Sequence, residues 1–167
     1  TRAGNNNAIE IWNDGNLALN SVTNVNNAKK INIESTGQLI ASSAGTGRDV
    51  DIKLTGVGIA VGQIRAGYNA VTLYAGTGAI TDGNGDSNNV IAHSLITISG
   101  GGVGVGNALE TVLTDSFSFT ETGVAGIELI NTSLATLKID GETSGGDITI
   151  QQTGTGGTLT LGAVSSN

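Results

Sequence analysis

One short hydrophobic signal recurs along the chain: an apolar residue, a polar one, an apolar one, and usually a glycine-containing turn. Its copies are Ile9-Glu10-Ile11, Ile31-Asn32-Ile33, Ile52-Lys53-Leu54, Val71-Thr72-Leu73, Ile96-Thr97-Ile98, Ile127-Glu128-Leu129 and Ile148-Thr149-Ile150, spaced 22, 21, 19, 25, 31 and 21 residues apart. This two-residue period is that of a strand with one buried face. Most copies are followed, seven to eleven residues later, by a second short strand. These are Leu17-Ala18-Leu19, Leu39-Ile40, Ile59-Ala60-Val61, Val103-Gly104-Val105, Leu137-Lys138-Ile139 and Leu159-Thr160-Leu161. Turns fall at Asp14-Gly15, Thr36-Gly37, Thr55-Gly56, Thr77-Gly78 and Thr155-Gly156, where glycine allows tight bends. Asn107–Leu113 is the nearest approach to a helical period, and it is too short to hold one.

Short strands, a repeat near 21 residues and no helix predict an all-β, right-handed parallel β-helix (β-solenoid) of about seven coils, a single domain over 1–167. A coil cannot bury its apolar face alone, so coils stack and like residues form ladders. With parallel neighbours about 4.8 Å apart, such a rod is on the order of 35 Å long. Right-handed winding is the rule for parallel crossovers. The alternative, an antiparallel β-sandwich, leaves the matched columns without a cause. With both apolar members of each triplet inward, Ile98→Asp is expected to bury an unpaired charge and collapse the local stack.

Composition narrows the function. The chain has 27 glycines and no proline, cysteine or methionine. Missing proline suits long ladders, and missing cysteine excludes disulfides, thiolate metal sites and cysteine nucleophiles. A net charge of −7 with only seven basic residues argues against nucleic acid. No run of apolar residues is long enough for a membrane span. The chain opens at Thr1 without a signal-peptide pattern, which fits a processed product or a piece of a longer polypeptide. A surface of Thr, Ser, Asn and Gly with 13% charged residues fits an extracellular setting.

The last coil, Gly145-Gly146-Asp147-Ile148-Thr149-Ile150 through Gly157-Thr158-Leu159-Thr160-Leu161-Gly162-Ala163-Val164, resembles the coils of filamentous-haemagglutinin-like bacterial surface proteins. Ala75-Gly76-Thr77-Gly78-Ala79-Ile80-Thr81-Asp82 has the same character. The resemblance implies a right-handed parallel β-helix, export through the outer membrane, and work as an adhesin, exported effector or fibre. The Asn-Pro-Asn motifs of that family's secretion domain are absent, so the resemblance implies shaft, with no catalytic residues to carry over.

Candidate chemistry is sparse. Asp82, Asn84 and Asp86 have the 1-3-5 oxygen spacing of a calcium loop, but Ser87 and His93 stand where the loop needs Gly and Glu. Asp49 and Asp51 share a strand face, as a carboxylate-pair hydrolase would need, but no aromatic residue lies near. His93 is the lone histidine, with no Gly-x-Ser-x-Gly elbow to serve. Trp12 and Tyr74 each lie three residues after an inward position, in one outward column, where rings suit a glycan or protein contact. Phe117 and Phe119 read as a core strand, a flap or an adhesive patch. Thr-x-Thr units do not recur once per coil, which excludes an ice-binding array, and Asn131-Thr132-Ser133 is a formal glycosylation sequon. The reading that accounts for most of this is a non-catalytic structural or adhesive segment of a cell-surface fibre. Its partners would be like coils or subunits stacked end to end, and a host or matrix glycan or protein. The alternative is a polysaccharide-binding or polysaccharide-degrading β-helix protein.

Overall fold

A computed structural model describes residues 2–3, 9–24, 30–46 and 51–166. All regular structure among them is strand. In chain order the strands are β1 (Arg2–Ala3), β2 (Ile9–Asn13), β3 (Leu17–Leu19), β4 (Val22–Asn24), β5 (Ile31–Ser35), β6 (Gln38–Thr46), β7 (Ile52–Thr55) and β8 (Gly58–Arg65). They continue as β9 (Ala70–Tyr74), β10 (Ile80–Asp82), β11 (Val90–Ser99), β12 (Leu109–Glu121), β13 (Ile127–Asn131), β14 (Thr136–Thr143), β15 (Ile148–Gln152) and β16 (Thr158–Ser166). Among the described residues every pairing is parallel except β1 on β2. The chain is a β-solenoid of about seven turns.

Three ladders run along it. The first stacks Ile9, Ile31, Ile52, Val71, Leu95, Phe117, Ile139 and Leu161. The second stacks Leu17, Leu39, Ile59, Ile80, Val103, Ile127 and Ile148. The third stacks Val22, Ala44, Ile64, Val90, Thr111, Asn131 and Gln152. The middle rungs are fully buried, from Ile31 through Phe117 on the first ladder. Burying a Leu, Ile or Phe side chain contributes about 1.5–3 kcal/mol, so the core is additive, coil upon coil.

The register corrects the sequence reading at three triplets. The first four lie in one column, as expected. In the fifth, Ile96 is 39% exposed and Thr97 is buried, so the column holds Leu95-Ile96-Thr97 and Ile98 points outward. The expected collapse on Ile98→Asp therefore loses its basis. Ile127-Glu128-Leu129 and Ile148-Thr149-Ile150 belong to the second ladder, and Phe117 and Ile139 take the first-ladder places. The 31-residue gap thus vanishes: Leu95, Phe117, Ile139 and Leu161 follow at 22-residue intervals.

Volume explains why a threonine sits inside at that rung. Phe119 is 2% exposed, beside Phe117 at a ring separation of 5.4 Å. Its column neighbours are Thr97 on one side and Gly141 on the other. A Cβ at Gly141 would strike the Phe119 carbonyl oxygen and lie 2.7 Å from the ring carbon Cγ. The large ring needs small neighbours above and below, as dense packing demands. A β-bulge between Ala92 and Ser94 resets the alternation so that Leu95 and Thr97, rather than Ile96 and Ile98, face in.

The turn glycines act in two ways. Gly15 and Gly156 have φ of +94° and +87°, a conformation that side chains disfavour. At Gly78 φ is ordinary, but a Cβ would strike the Val57 carbonyl oxygen of the adjacent coil.

Candidate functional site

The outward column of the first ladder runs Trp12, Glu34, Thr55, Tyr74, Ile98, Thr120 and Glu142. Trp12 is 71% exposed and Tyr74 42% exposed. The two rings share the column three rungs apart, about 14 Å. Beside Tyr74, exposed Ile96 and half-buried Ile98 add apolar area, with Thr72, Ser118 and Thr120 around them. Around Tyr74 the face is one of rings, methyls and hydroxyls, and charged side chains such as Glu34, Lys53, Asp140 and Glu142 flank it along the ladder.

Asp82, Asn84 and Asp86 lie on the corner that leads from β10 to β11. There Asp82 Oδ1 accepts from Asn84 N at 2.8 Å and from Asn89 Nδ2 at 2.6 Å, while Oδ2 accepts from Asn107 Nδ2. Asn89 is fully buried. Its Nδ2 also faces Val61 O at 2.9 Å, Gly62 O at 3.3 Å and Asn84 Oδ1 at 2.8 Å. Its Oδ1 accepts from Glu110 N at 2.9 Å. The oxygens that a calcium loop would aim at an ion converge instead on an amide group, and Asp86 is exposed. Among the described residues no three His, Cys, Asp or Glu side chains are grouped to hold a metal ion. Glu110 lies under this corner with Oε2 buried and unpartnered. Burial pushes its carboxyl above the ordinary range; a backbone hydrogen bond opposes this, and Asp82 and Asp86 push it further up.

Asn131 has the same role at a rung closer to the C-terminal end. It is fully buried; its Oδ1 accepts from Leu113 N at 2.7 Å and Thr111 Oγ1 at 3.1 Å, and its Nδ2 donates to Leu113 O and Gln152 Oε1. The side-chain amide thus pairs with backbone where a neighbouring strand would. The sequon asparagine is consumed inside the fold. Sequence reading missed Asn89 and Asn131 as structural amides; Asn131 continues the polar run Thr111, Asn131 and Gln152 on the third ladder, whereas Asn89, one residue before Val90, carried no such signal.

The remaining candidates disperse. Asp49 lies outside the described residues; Asp51 is exposed and accepts from Ala70 N at 3.3 Å. His93 sits at the β11 bulge, with Nδ1 3.1 Å from Thr114 Oγ1 and Nε2 3.9 Å from Asp115 Oδ2. Lys138 Nζ is 3.3 Å from Asp115 Oδ1. Burial raises the Asp115 carboxyl, but hydrogen bonds from Ser116 and Lys138 and the charges of Lys138 and His93 prevail and hold it low. The ring contacts two consecutive residues of one strand, and the ion pairs are exposed and weak. Phe117 and Phe119 form core, so neither a flap nor an adhesive patch arises from them.

The fold and its faces define the class as a parallel β-solenoid. In comparisons with protein-family models, curated proteins and solved structures, nothing matched this chain.

Proposed function

We propose that the chain is a non-catalytic structural segment of an extracellular or cell-surface fibre, a shaft made of stacked coils. One observation carries this reading. The ladders run through all the described coils, and β16 is paired on one side only, to β14. All nine residues of β16 are exposed, with Leu159 at 39%, Leu161 at 71% and Val164 at 37%. That edge offers unpaired backbone groups and an apolar row of the kind each coil already buries against the next. Another coil fits it, whether from a longer chain or from a second copy stacked head to tail, which is an open-ended association. The resemblance of the last coil to filamentous-haemagglutinin-like repeats and the sparsely charged surface support placing it at a bacterial surface.

The test is electron microscopy of native material with intact mass measured on the same sample. Uniform filaments built from 16.6 kDa units, or a rod-shaped protein of much larger mass, support the shaft. Compact 16.6 kDa monomers overturn it. A second reading, glycan binding on the outward face, rests on the Trp12–Tyr74 column. It is tested by glycan-array binding that Trp12→Ala with Tyr74→Ala abolishes.

A further inference from the structure

Three side chains, Asn32, Glu34 and Lys53, lie together on the outward face of the second and third coils. Asn32 of β5 and Lys53 of β7 are direct partners in the parallel ladder, so their backbones are about 4.8 Å apart. Glu34 stands two residues beyond Asn32 on the same face. Its Oε1 lies 3.3 Å from Asn32 Nδ2 and 4.0 Å from Lys53 Nζ. Asn32 Oδ1 is buried without a hydrogen-bond partner. One carboxyl oxygen therefore accepts from the Asn32 amide and stands 4.0 Å from the Lys53 ammonium, while the amide oxygen has no hydrogen-bond partner.

We propose that Lys53 and Asn32 form an intramolecular isopeptide cross-link, with Glu34 as the proton relay. The Glu34 carboxylate takes one proton from the Lys53 ammonium, the freed Nζ lone pair attacks Asn32 Cγ, and the new Nζ–Cγ bond replaces the Cγ–Nδ2 bond. The two protons that Nζ loses in turn pass through Glu34 to Nδ2, which leaves as ammonium, so that Glu34 ends as the carboxylate it began as. No oxidant, reductant or cofactor enters, and no outside substrate is needed. Glu34 is catalytic in this step because it exchanges protons with both reacting groups, from 3.3 Å at the amide and 4.0 Å at the amine. Alignment does the rest: the ladder holds amine and amide side by side, and such intramolecular placement greatly raises effective concentration. The event happens once per molecule, so a slow reaction suffices. The bond would staple the second coil to the third, so that neither can peel away singly.

The experiment is intact-mass measurement of the full chain after purification and after prolonged incubation at 37 °C, followed by tryptic mapping. The expected mass is about 17 Da below that of the sequence, the mass of the ammonia lost. Trypsin should fail to cut after Lys53, and peptides 31–48 and 49–65 should emerge as one branched species. Lys53→Arg, Asn32→Ala and Glu34→Gln should each restore the full mass while keeping the β spectrum, since Lys53 and Glu34 side chains are 53% and 42% exposed. An unchanged mass after incubation overturns the proposal. So does a 17 Da loss with normal cleavage after Lys53, which marks an asparagine cyclised on its own backbone.

Discussion

The interior position of Thr97 can be tested through its hydroxyl group. Thr97 is fully buried, and its Oγ1 has no hydrogen-bond partner. Holding a hydroxyl away from water without a partner costs about 1–3 kcal/mol. Valine keeps the branched shape and removes the polar atom. Thr97→Val should stabilise the protein by about 1–2 kcal/mol, which raises the melting midpoint by roughly 2–8 °C at this size. Thr111 provides the control. It too is fully buried, but its Oγ1 lies 3.1 Å from Asn131 Oδ1 and 3.2 Å from Ile130 O. Thr111→Val should destabilise by about 1 kcal/mol, because a made hydrogen bond is lost. Urea and thermal unfolding followed by far-ultraviolet circular dichroism would measure both. The same substitution is thus expected to act with opposite sign at two buried sites. If Thr97→Val lowers stability as Thr111→Val does, the hydroxyl has a partner or the rung faces the other way, and the reasoning fails.

Three more outcomes are expected. Leu95→Asp should abolish cooperative folding while Ile98→Asp stays folded with a midpoint within a few degrees, and the reverse pattern would restore the other register. Gly141→Ala should destabilise by about 1–3 kcal/mol, as overpacking does, because its Cβ meets the Phe119 carbonyl oxygen and then the Phe119 ring; a wild-type midpoint in urea would refute the close approach of these two rungs. Glu110→Gln should stabilise at neutral pH by about 1 kcal/mol and lose that advantage in acid. The sign follows from linkage: the folded-state carboxyl titrates above its unfolded value. Its contribution is therefore present below the unfolded range and is lost as pH rises through the folded value. Equal midpoints for Glu110→Gln and wild type from pH 4 to pH 8 would contradict a strained carboxylate.

Much of the fold was legible. Alternation over Ile9–Ile11, Ile31–Ile33, Ile52–Leu54 and Val71–Leu73 marked the right inward residues, and the spacing near 21 gave coils. The outward column of Trp12 and Tyr74 followed from the same period. The fifth rung misled because Ile96 and Ile98 look more apolar than Leu95 and Thr97. Two triplets farther on were placed on the wrong ladder because every ladder uses the same alternation. The acidic corner was visible as Asp82, Asn84 and Asp86, yet Asn89, Asn107 and Glu110 come to it from beyond the motif.

The sequence by itself determined that the chain builds coils, because a period of two with a longer repeat can bury its apolar rows only by stacking. It also determined what the chain lacks: cysteine, proline and clustered basic charge. Tertiary structure alone decided which ladder each strand joins and which parity faces inward. Those choices rest on volumes and hydrogen bonds across residues about 22 positions apart. Phe119 takes the space that leaves Thr97 and Gly141 as its neighbours. Asn89 fills the corner where a calcium motif had been read. The ladder register alone sets Asn32 beside Lys53. Neither period nor composition encodes such contacts, because they depend on how one coil rests on the next.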